Sequence, residues 1–252
     1  MSNLVSFLRR LKGFLKADKA WRKKFALYKK QLEDFKQSVD QGTSVAIFAC
    51  LDDNTGITRI EPHYTYHPAW AARVLVQTMP AKHVDISSTT NFSNIASAFV
   101  PFEFYDYRPA NIHLSNYKSG RADLTNLHFE SNSIESLSCM HTVEHIGLGR
   151  YGDPIDINGD KKAMKELQRV LKINGNLLFV VPVGIPKIEF NAHRIYAYDA
   201  VIENFNELTL KEFSLIPDDF DDIGYITNPP LELINNQKWG CGCFWFTKVG
   251  KI

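Results

Sequence analysis

Long apolar runs are missing from this sequence of 252 residues. No stretch approaches the roughly 18 apolar residues that a membrane-crossing helix needs. The longest N-terminal apolar stretch, Leu4 to Leu8, is interrupted by Ser6 and followed at once by Arg9 and Arg10, so neither a membrane span nor a secretory leader is expected. Cysteine is scarce as well. Cys50, Cys139, Cys241 and Cys243 are too few and too scattered for a disulfide framework and read as buried thiols in a reducing compartment. Internal repeats and low-complexity tracts are also lacking. What is present is ordinary globular material, 44% apolar and 23% charged, with 17 Phe, 10 Tyr and 4 Trp for packing. This length suits one α/β domain with an N-terminal extension better than two full domains.

A net charge of +1 conceals an asymmetry, because residues 1–40 hold 11 Lys/Arg against 4 Asp/Glu, leaving 18 against 24 for the remainder. The domain boundaries expected are a basic extension over 1–42 and an α/β domain over 43–252. Leu4, Phe7, Leu8, Leu11, Phe14 and Leu15 recur at helical spacing with Arg9, Arg10, Lys12 and Lys16 between them, which describes a cationic amphipathic helix. Such a helix can lie on an anionic membrane surface, or its apolar stripe can pack on the body or on a second copy of the chain. The expected location is therefore cytoplasmic, with peripheral contact at the inner membrane surface or self-association as roles for the helix. The body has no basic patch, so nucleic acid is not an expected partner.

A second helical pattern runs through Trp21, Phe25, Tyr28, Leu32 and Phe35, and Gly42 ends the helical region. Residues 43–51 read as a strand, and a helix is expected from His67-Pro68 to Met79, since proline suits a first helical turn. Strands and helices then alternate: strands at 83–87, 102–106, 134–140, 176–181, 208–216 and 241–249, a weaker one between 112 and 122, and helices at 94–99 and 161–171. Such alternation yields a parallel sheet covered on both faces.

Ligands of open parallel sheets bind beyond the carboxyl ends of the strands. After the first strand of this series stands Asp85-Ile86-Ser87-Ser88-Thr89-Thr90-Asn91, and Asp106, 21 residues beyond Asp85, closes the second. That separation suits a carboxylate accepting hydrogen bonds from a ribose diol, while turn capping is the structural alternative for each Asp.

Three further stretches carry a resemblance. Ala122-Asp123-Leu124-Thr125-Asn126-Leu127, Ser133-Ile134-Glu135-Ser136-Leu137 and His141-Thr142-Val143-Glu144-His145 are similar to motifs around the third and fourth strands of class I S-adenosylmethionine-dependent methyltransferases. Glu166-Leu167-Gln168-Arg169-Val170-Leu171-Lys172-Ile173-Asn174-Gly175-Asn176-Leu177 resembles the lead-in to their fifth strand, E-x-x-R-V-L-K-P-G-G-x-L. The run Gly147-Leu148-Gly149-Arg150-Tyr151-Gly152-Asp153-Pro154, with Asp106-Tyr107-Arg108-Pro109, looks like the signature of an uncharacterised branch of that superfamily. The resemblance implies a Rossmann-like, mostly parallel seven-stranded sheet and S-adenosylmethionine as cofactor. It implies that Asp85, Ser87 and Thr89 lie beneath the methionine part, Asp106 holds the ribose, and Asp123 with Leu124 flanks the adenine. Methyl transfer to a small-molecule or glycan acceptor is the activity implied. One departure stands out: in the family's D-x-G-x-G-x-G loop the glycine places are taken here by Ser87, Thr89 and Asn91. Three side chains there narrow a pocket or redirect the loop, and a methyltransferase-shaped binding or scaffold protein without activity is the alternative this raises.

His141, Glu144 and His145 stand at the mouth of the expected cleft, where His145 or His141 would take a proton from an acceptor; His193 follows the fifth strand and is a third candidate. Glu144, Arg150, Tyr151 and Arg194 are the expected acceptor contacts, Arg194 for an anionic group. His141-x-x-Glu144-His145 also matches the inverted zinc-peptidase motif, but the glycines at 147 and 149 leave poor ground for the helix that motif needs. His63, Tyr64, Tyr66 and His67 read as a packed entry loop or a cleft lining. Cys241-x-Cys243 lacks a second cysteine pair, and no metal set is assigned.

Overall fold

The computed structural model describes residues 2–250 apart from residue 222, with side chains from residue 18 onward. The chain divides into two units, residues 1–59 and 60–252.

The first unit is helix α1 (Ser2–Lys36) followed by irregular chain. Within it Trp21 and Phe25 stack at 5.0 Å, and Lys24 reaches Asp52 at 2.7 Å. The apolar stripe expected between Leu4 and Leu15 lies outside the described side chains. Residues 43–51 form no strand. Ile47 and Phe48 are 65% and 86% exposed, so among the described residues of this unit the alternation read there meets no partner strand. Among the described residues no helix is long and apolar enough to cross a membrane.

The second unit opens with α2 (Pro62–Thr78). Pro62 takes the first helical position, and the Glu61 carboxylate accepts the Tyr64 N–H at 2.6 Å. The helix therefore starts a turn and a half before the expected His67-Pro68. Pro68 sits inside it, removing one backbone hydrogen bond without ending it.

The βα alternation follows: β1 (His83–Ile86), α3 (Asn91–Ala96), β2 (Phe102–Asp106), β3 (Tyr117–Arg121), β4 (Ile134–Met140), α4 (Gly159–Val170) and β5 (Leu171–Val183). A two-stranded ribbon of β6 (Lys187–Glu189) and β7 (His193–Ile195) comes next. Then come α5 (Tyr198–Asn204), β8 (Leu208–Ile216), β9 (Ile226–Thr227), α6 (Leu231–Asn235) and β10 (Gly240–Lys248). The main sheet has the order β3-β2-β1-β4-β5-β10-β8-β9. β1 to β5 run parallel, and β10 is antiparallel to both β5 and β8. The sheet has eight strands rather than the seven expected, because the chain after β8 folds back and lays β9 against its edge, covering an otherwise open row of peptide groups.

Alternating residues of the strands feed two cores. In β5, Leu177, Phe179 and Val181 pack with α4 and α5 (Met164, Leu167, Val201, Phe205), whereas Leu178 and Val180 pack with α2 and α3 (Trp70, Leu75, Phe92). Each such fully buried aliphatic or aromatic side chain contributes roughly 1.5–3 kcal/mol. Glu166 and Arg169 show why an E-x-x-R pattern precedes β5. The Glu166 carboxylate accepts the Leu127 N–H at 2.8 Å, while Arg169 donates to the carbonyls of Leu127 and Phe129 at 2.9 Å each. The pair clamps the loop that leads from β3 into β4.

Candidate active site

Strand order 3-2-1-4-5 means that the chain leaves β1 toward one edge and later returns to β4 on the other side of β1. A crevice opens at such a switch point, beyond the carboxyl ends of β1 and β4. The structure has a cavity of about 200 Å³ there. Ile86, Ser87 and Ser88 line it from β1, Tyr105 to Arg108 from β2, Ala122 to Thr125 from the chain after β3, and Thr142 and His145 to Gly147 from the chain after β4.

Asp106 sits at the end of β2. One carboxylate oxygen accepts the Arg108 N–H at 2.6 Å, and among the described residues no protein donor reaches the other. Asp123 lies across the cleft, its carboxylate accepting the Thr125 N–H at 2.8 Å, and buried Leu124 stands beside it. Four aspartates line the cleft, but Asp156 pairs with Lys162 at 2.7 Å and Asp153 is held by backbone N–H groups, so Asp106 and Asp123 are the carboxylates left to face a ligand alongside Arg108.

Asp85 is not on the cleft surface. It is fully buried, accepting hydrogen bonds from Ser87 and Ser138, each at 2.5 Å, and Ser138 in turn bonds His83 at 2.8 Å. Burial raises the Asp85 carboxyl to about 7 despite the two hydroxyl donors, and burial drops His83 to about 3. Asp85 pairs in register with Phe104, two residues short of Asp106. Both hydroxyls share Oδ1, tying β1 to β4, while Oδ2 is buried without a partner among the described residues. Thr89 does not line the cleft either; Ser87 and Ser88 do, with the Ser88 hydroxyl donating to the His141 carbonyl at 2.8 Å. None of residues 87–91 has a positive φ. The loop thus takes its path without the conformational freedom of glycine, and the serines fill space that glycine would leave open.

The roof is the Gly147–Pro154 loop. Asp153 organises it by accepting backbone N–H groups of Gly147 (2.8 Å), Gly149 (3.3 Å) and Tyr151 (3.1 Å). Partial burial opposes ionisation of Asp153, but these donors outweigh it and hold its pKa below the usual value. Gly147 has φ +77°, and a Cβ there would stand 2.0 Å from the Asp156 carbonyl. The Tyr151 ring lies between the guanidinium groups of Arg108 (4.4 Å) and Arg150 (5.1 Å).

Of the expected histidines, only His145 reaches the cleft. Its Nδ1 bonds the Ala192 carbonyl at 2.6 Å. Since a carbonyl only accepts, Nδ1 carries the proton and Nε2 the lone pair. Burial lowers its pKa against the opposing pull of Glu144, so it is neutral at pH 7. The other assignments need correction. His141, at φ +50°, turns away from the cleft, its Nδ1 against Glu144 at 2.9 Å and its Nε2 against the Cys241 sulfur at 3.4 Å. Glu144 is 1% exposed, with one oxygen on that contact and the other buried, so it presents no oxygen at the cleft surface. Arg194 is also buried. It donates to the Ile146 carbonyl at 2.7 Å and faces Asp160 at 3.5 Å, so it has no free edge for an anionic acceptor. His193 stacks on Trp239 at 5.6 Å in a separate shallow depression beside Lys187 and Lys238. Arg150 donates to the Ala192 carbonyl and reaches the cleft only through Tyr151. His141 and His145 therefore share no helical face, which removes the geometry of a zinc peptidase; residues 143–145 form a single 3-10 turn. Sequence reasoning did not single out Tyr105, Thr142, Ile146 and Asp156 as cleft residues. Only their position just after strands could have marked them.

A family model described as "Caenorhabditis protein of unknown function, DUF268" matches residues 120–203. That segment carries β4, the roof loop, the E-x-x-R clamp and the β6–β7 ribbon. No curated protein matches the chain in sequence. Among solved structures it is similar to a protein from Galdieria sulphuraria described as a sarcosine dimethylglycine methyltransferase, with 14% identity over 73% of this chain and 85% of that one and a TM-score of 0.51. The N-methyltransferase NodS from Bradyrhizobium japonicum, solved with S-adenosyl-L-homocysteine, aligns at 13% identity over 79% and 90% of the two chains with a TM-score of 0.49. At such identities the likeness is one of architecture. The likeness to the Galdieria structure, with the strand order and the antiparallel β10, shows the Rossmann-like fold of class I S-adenosylmethionine-dependent methyltransferases.

Proposed function

We propose that the protein transfers a methyl group from S-adenosylmethionine to a nucleophilic oxygen or nitrogen of a small-molecule or glycan acceptor. The observation that carries this reading is Asp106. It is a carboxylate at the end of β2 with one oxygen held by the Arg108 N–H and the other without a protein donor, on the wall of the cleft at the switch point. A ribose diol offers the two donors such an oxygen needs. The residues present fit the rest of the cofactor as well. Leu124 and Ile146 offer apolar surface for adenine, and Asp123 an acceptor for its amino group.

S-adenosylmethionine, when bound, supplies an electrophilic methyl group on a sulfonium. The work left to the chain is positioning, exclusion of water and removal of a proton. Tyr151, flanked by Arg108 and Arg150, closes the roof. His145 lines the cleft, its ring oriented by the Ala192 carbonyl at Nδ1 and with Nε2 3.9 Å from the Glu144 carboxylate, and it is the group that takes the acceptor's proton.

The test is methyl transfer from S-adenosylmethionine labelled in its methyl group to pooled hydroxyl- and amine-bearing metabolites and oligosaccharides. Transfer that Asp106→Ala abolishes is the expected result. A folded protein that binds S-adenosylmethionine but labels no acceptor class would favour a binding role on the same fold.

A further inference from the structure

A second cluster of chemistry lies behind the β4 end, on the side away from the cleft. His63 in the first turn of α2, His141 just past β4 and Cys241 near the start of β10 come together from three elements, with Cys241 100 residues from His141. Their ligand atoms all lie within 4.8 Å of one another, and the three residues are 4%, 4% and 0% exposed. We propose that His63, His141 and Cys241 bind one zinc-class divalent ion, leaving a fourth tetrahedral position for water or an incoming heteroatom.

The geometry supports this in four ways. First, zinc bond lengths of about 2.1 Å to nitrogen and 2.3 Å to sulfur at a tetrahedral angle set the two donors about 3.6 Å apart. His141 Nε2 and Cys241 Sγ stand 3.4 Å apart. Second, the other His141 nitrogen, Nδ1, bonds the Glu144 carboxylate at 2.9 Å. A carboxylate behind an imidazole fixes the tautomer that leaves Nε2 free for metal and raises its basicity. Among the described residues the second Glu144 oxygen is buried without a hydrogen-bond partner, so a nearby cation adds to the stabilisation that His141 already gives this carboxylate. Third, His141 holds a left-handed backbone, φ +50°. A non-glycine residue held there marks a constrained position, and the turn is what carries its ring from the cleft side to the cluster. Fourth, the His63 carbonyl bonds His67 Nδ1 at 2.6 Å, which anchors the helical turn that carries His63. A plain thiol–imidazole hydrogen bond explains the 3.4 Å contact alone, but not the convergence of a second imidazole and an oriented carboxylate.

The experiment uses the full chain without a histidine tag, stripped with chelator and given Zn²⁺ or Co²⁺ alone. The expected result is one ion per chain, a thiolate-to-cobalt charge-transfer absorption that Cys241→Ser abolishes, and a zinc Kd raised at least about 10²-fold in His63→Gln. Glu144→Gln is expected to weaken zinc about 10–100-fold through loss of orientation, and His145→Ala to keep one ion per chain. X-ray absorption of the zinc-loaded, unsubstituted protein needs no variant to fold, and one sulfur neighbour at about 2.3 Å with nitrogen at about 2.0 Å is expected. Failure to retain zinc at micromolar free ion, a shell without sulfur, or loss of zinc in His145→Ala each overturns the assignment. None of these readouts depends on methyl transfer.

Discussion

Relative to the unsubstituted protein, Asp85→Asn should gain stability as pH rises from 4 to 7, by an amount that levels off above pH 7. In the folded chain the Asp85 carboxyl is raised from 3.8 to about 7 because burial opposes its charge more strongly than the Ser138 and Ser87 hydroxyls favour it. Below pH 4 the group is protonated in both states and costs nothing. Between pH 4 and pH 7 the unfolded chain ionises while the folded chain does not, so the stability present at low pH is progressively lost as pH rises through the folded value. A difference of about three pH units at 1.36 kcal/mol each gives a cost of about 4 kcal/mol, complete above pH 7. Asn keeps the shape and an acceptor for both serines but has no charge to desolvate. Urea unfolding of the two proteins at intervals from pH 4 to pH 8.5 isolates the effect, because other titrating groups, including His83, cancel in the difference. The variant's advantage should climb by roughly 1.4 kcal/mol per pH unit across the window. A difference that is flat with pH, or that runs in favour of Asp85 as pH rises, would refute the reasoning: the carboxylate would then be ionised in the folded state.

Three further outcomes are expected. Gly147→Ala forces a Cβ to within 2.0 Å of the Asp156 carbonyl at a positive φ, so a loss of about 1–3 kcal/mol in thermal unfolding and weaker S-adenosylmethionine binding should appear together. Arg169→Leu strands the carbonyls of Leu127 and Phe129 and leaves Glu166 without its ion pair. It should cost about 1–3 kcal/mol in denaturant unfolding. His145→Gln should lower methyl transfer to a responsive acceptor by about 10²–10⁴-fold while leaving S-adenosylmethionine affinity within a few fold, as read by calorimetry alongside turnover.

Three strands of the second unit were legible to the residue, 102–106, 134–140 and 208–216, which coincide with β2, β4 and β8, whereas β6, β7 and β9, two or three residues each, are too short to leave a pattern. Residues 43–51 show the limit of that signal. Alternation says that a segment can pair, not that an edge is available, and exposed Phe48 has found none. Pro62 and Pro68 both suit a first helical turn, and only the Glu61 cap decided between them. In the site, positions just after strands were readable because topology places them at the crevice; Asp106, Leu124 and His145 follow from that rule. What a side chain does there was not readable. Arg194 and Glu144 have the chemistry of acceptor contacts, yet both are buried against partners 34 and 3 residues away. The cluster of His63, His141 and Cys241 was illegible for the same reason, since its members come from three elements distant in sequence.

Isothermal titration with S-adenosylmethionine and S-adenosylhomocysteine, on the unsubstituted protein and on Asp106→Ala, probes the central claim most directly. Saturable one-site binding of both ligands is expected, weakened about 10²-fold in the variant by the loss of charge-assisted hydrogen bonds worth about 3 kcal/mol in total. A folded protein that takes up neither ligand at millimolar concentration, or one whose affinity is indifferent to Asp106, would contradict the account.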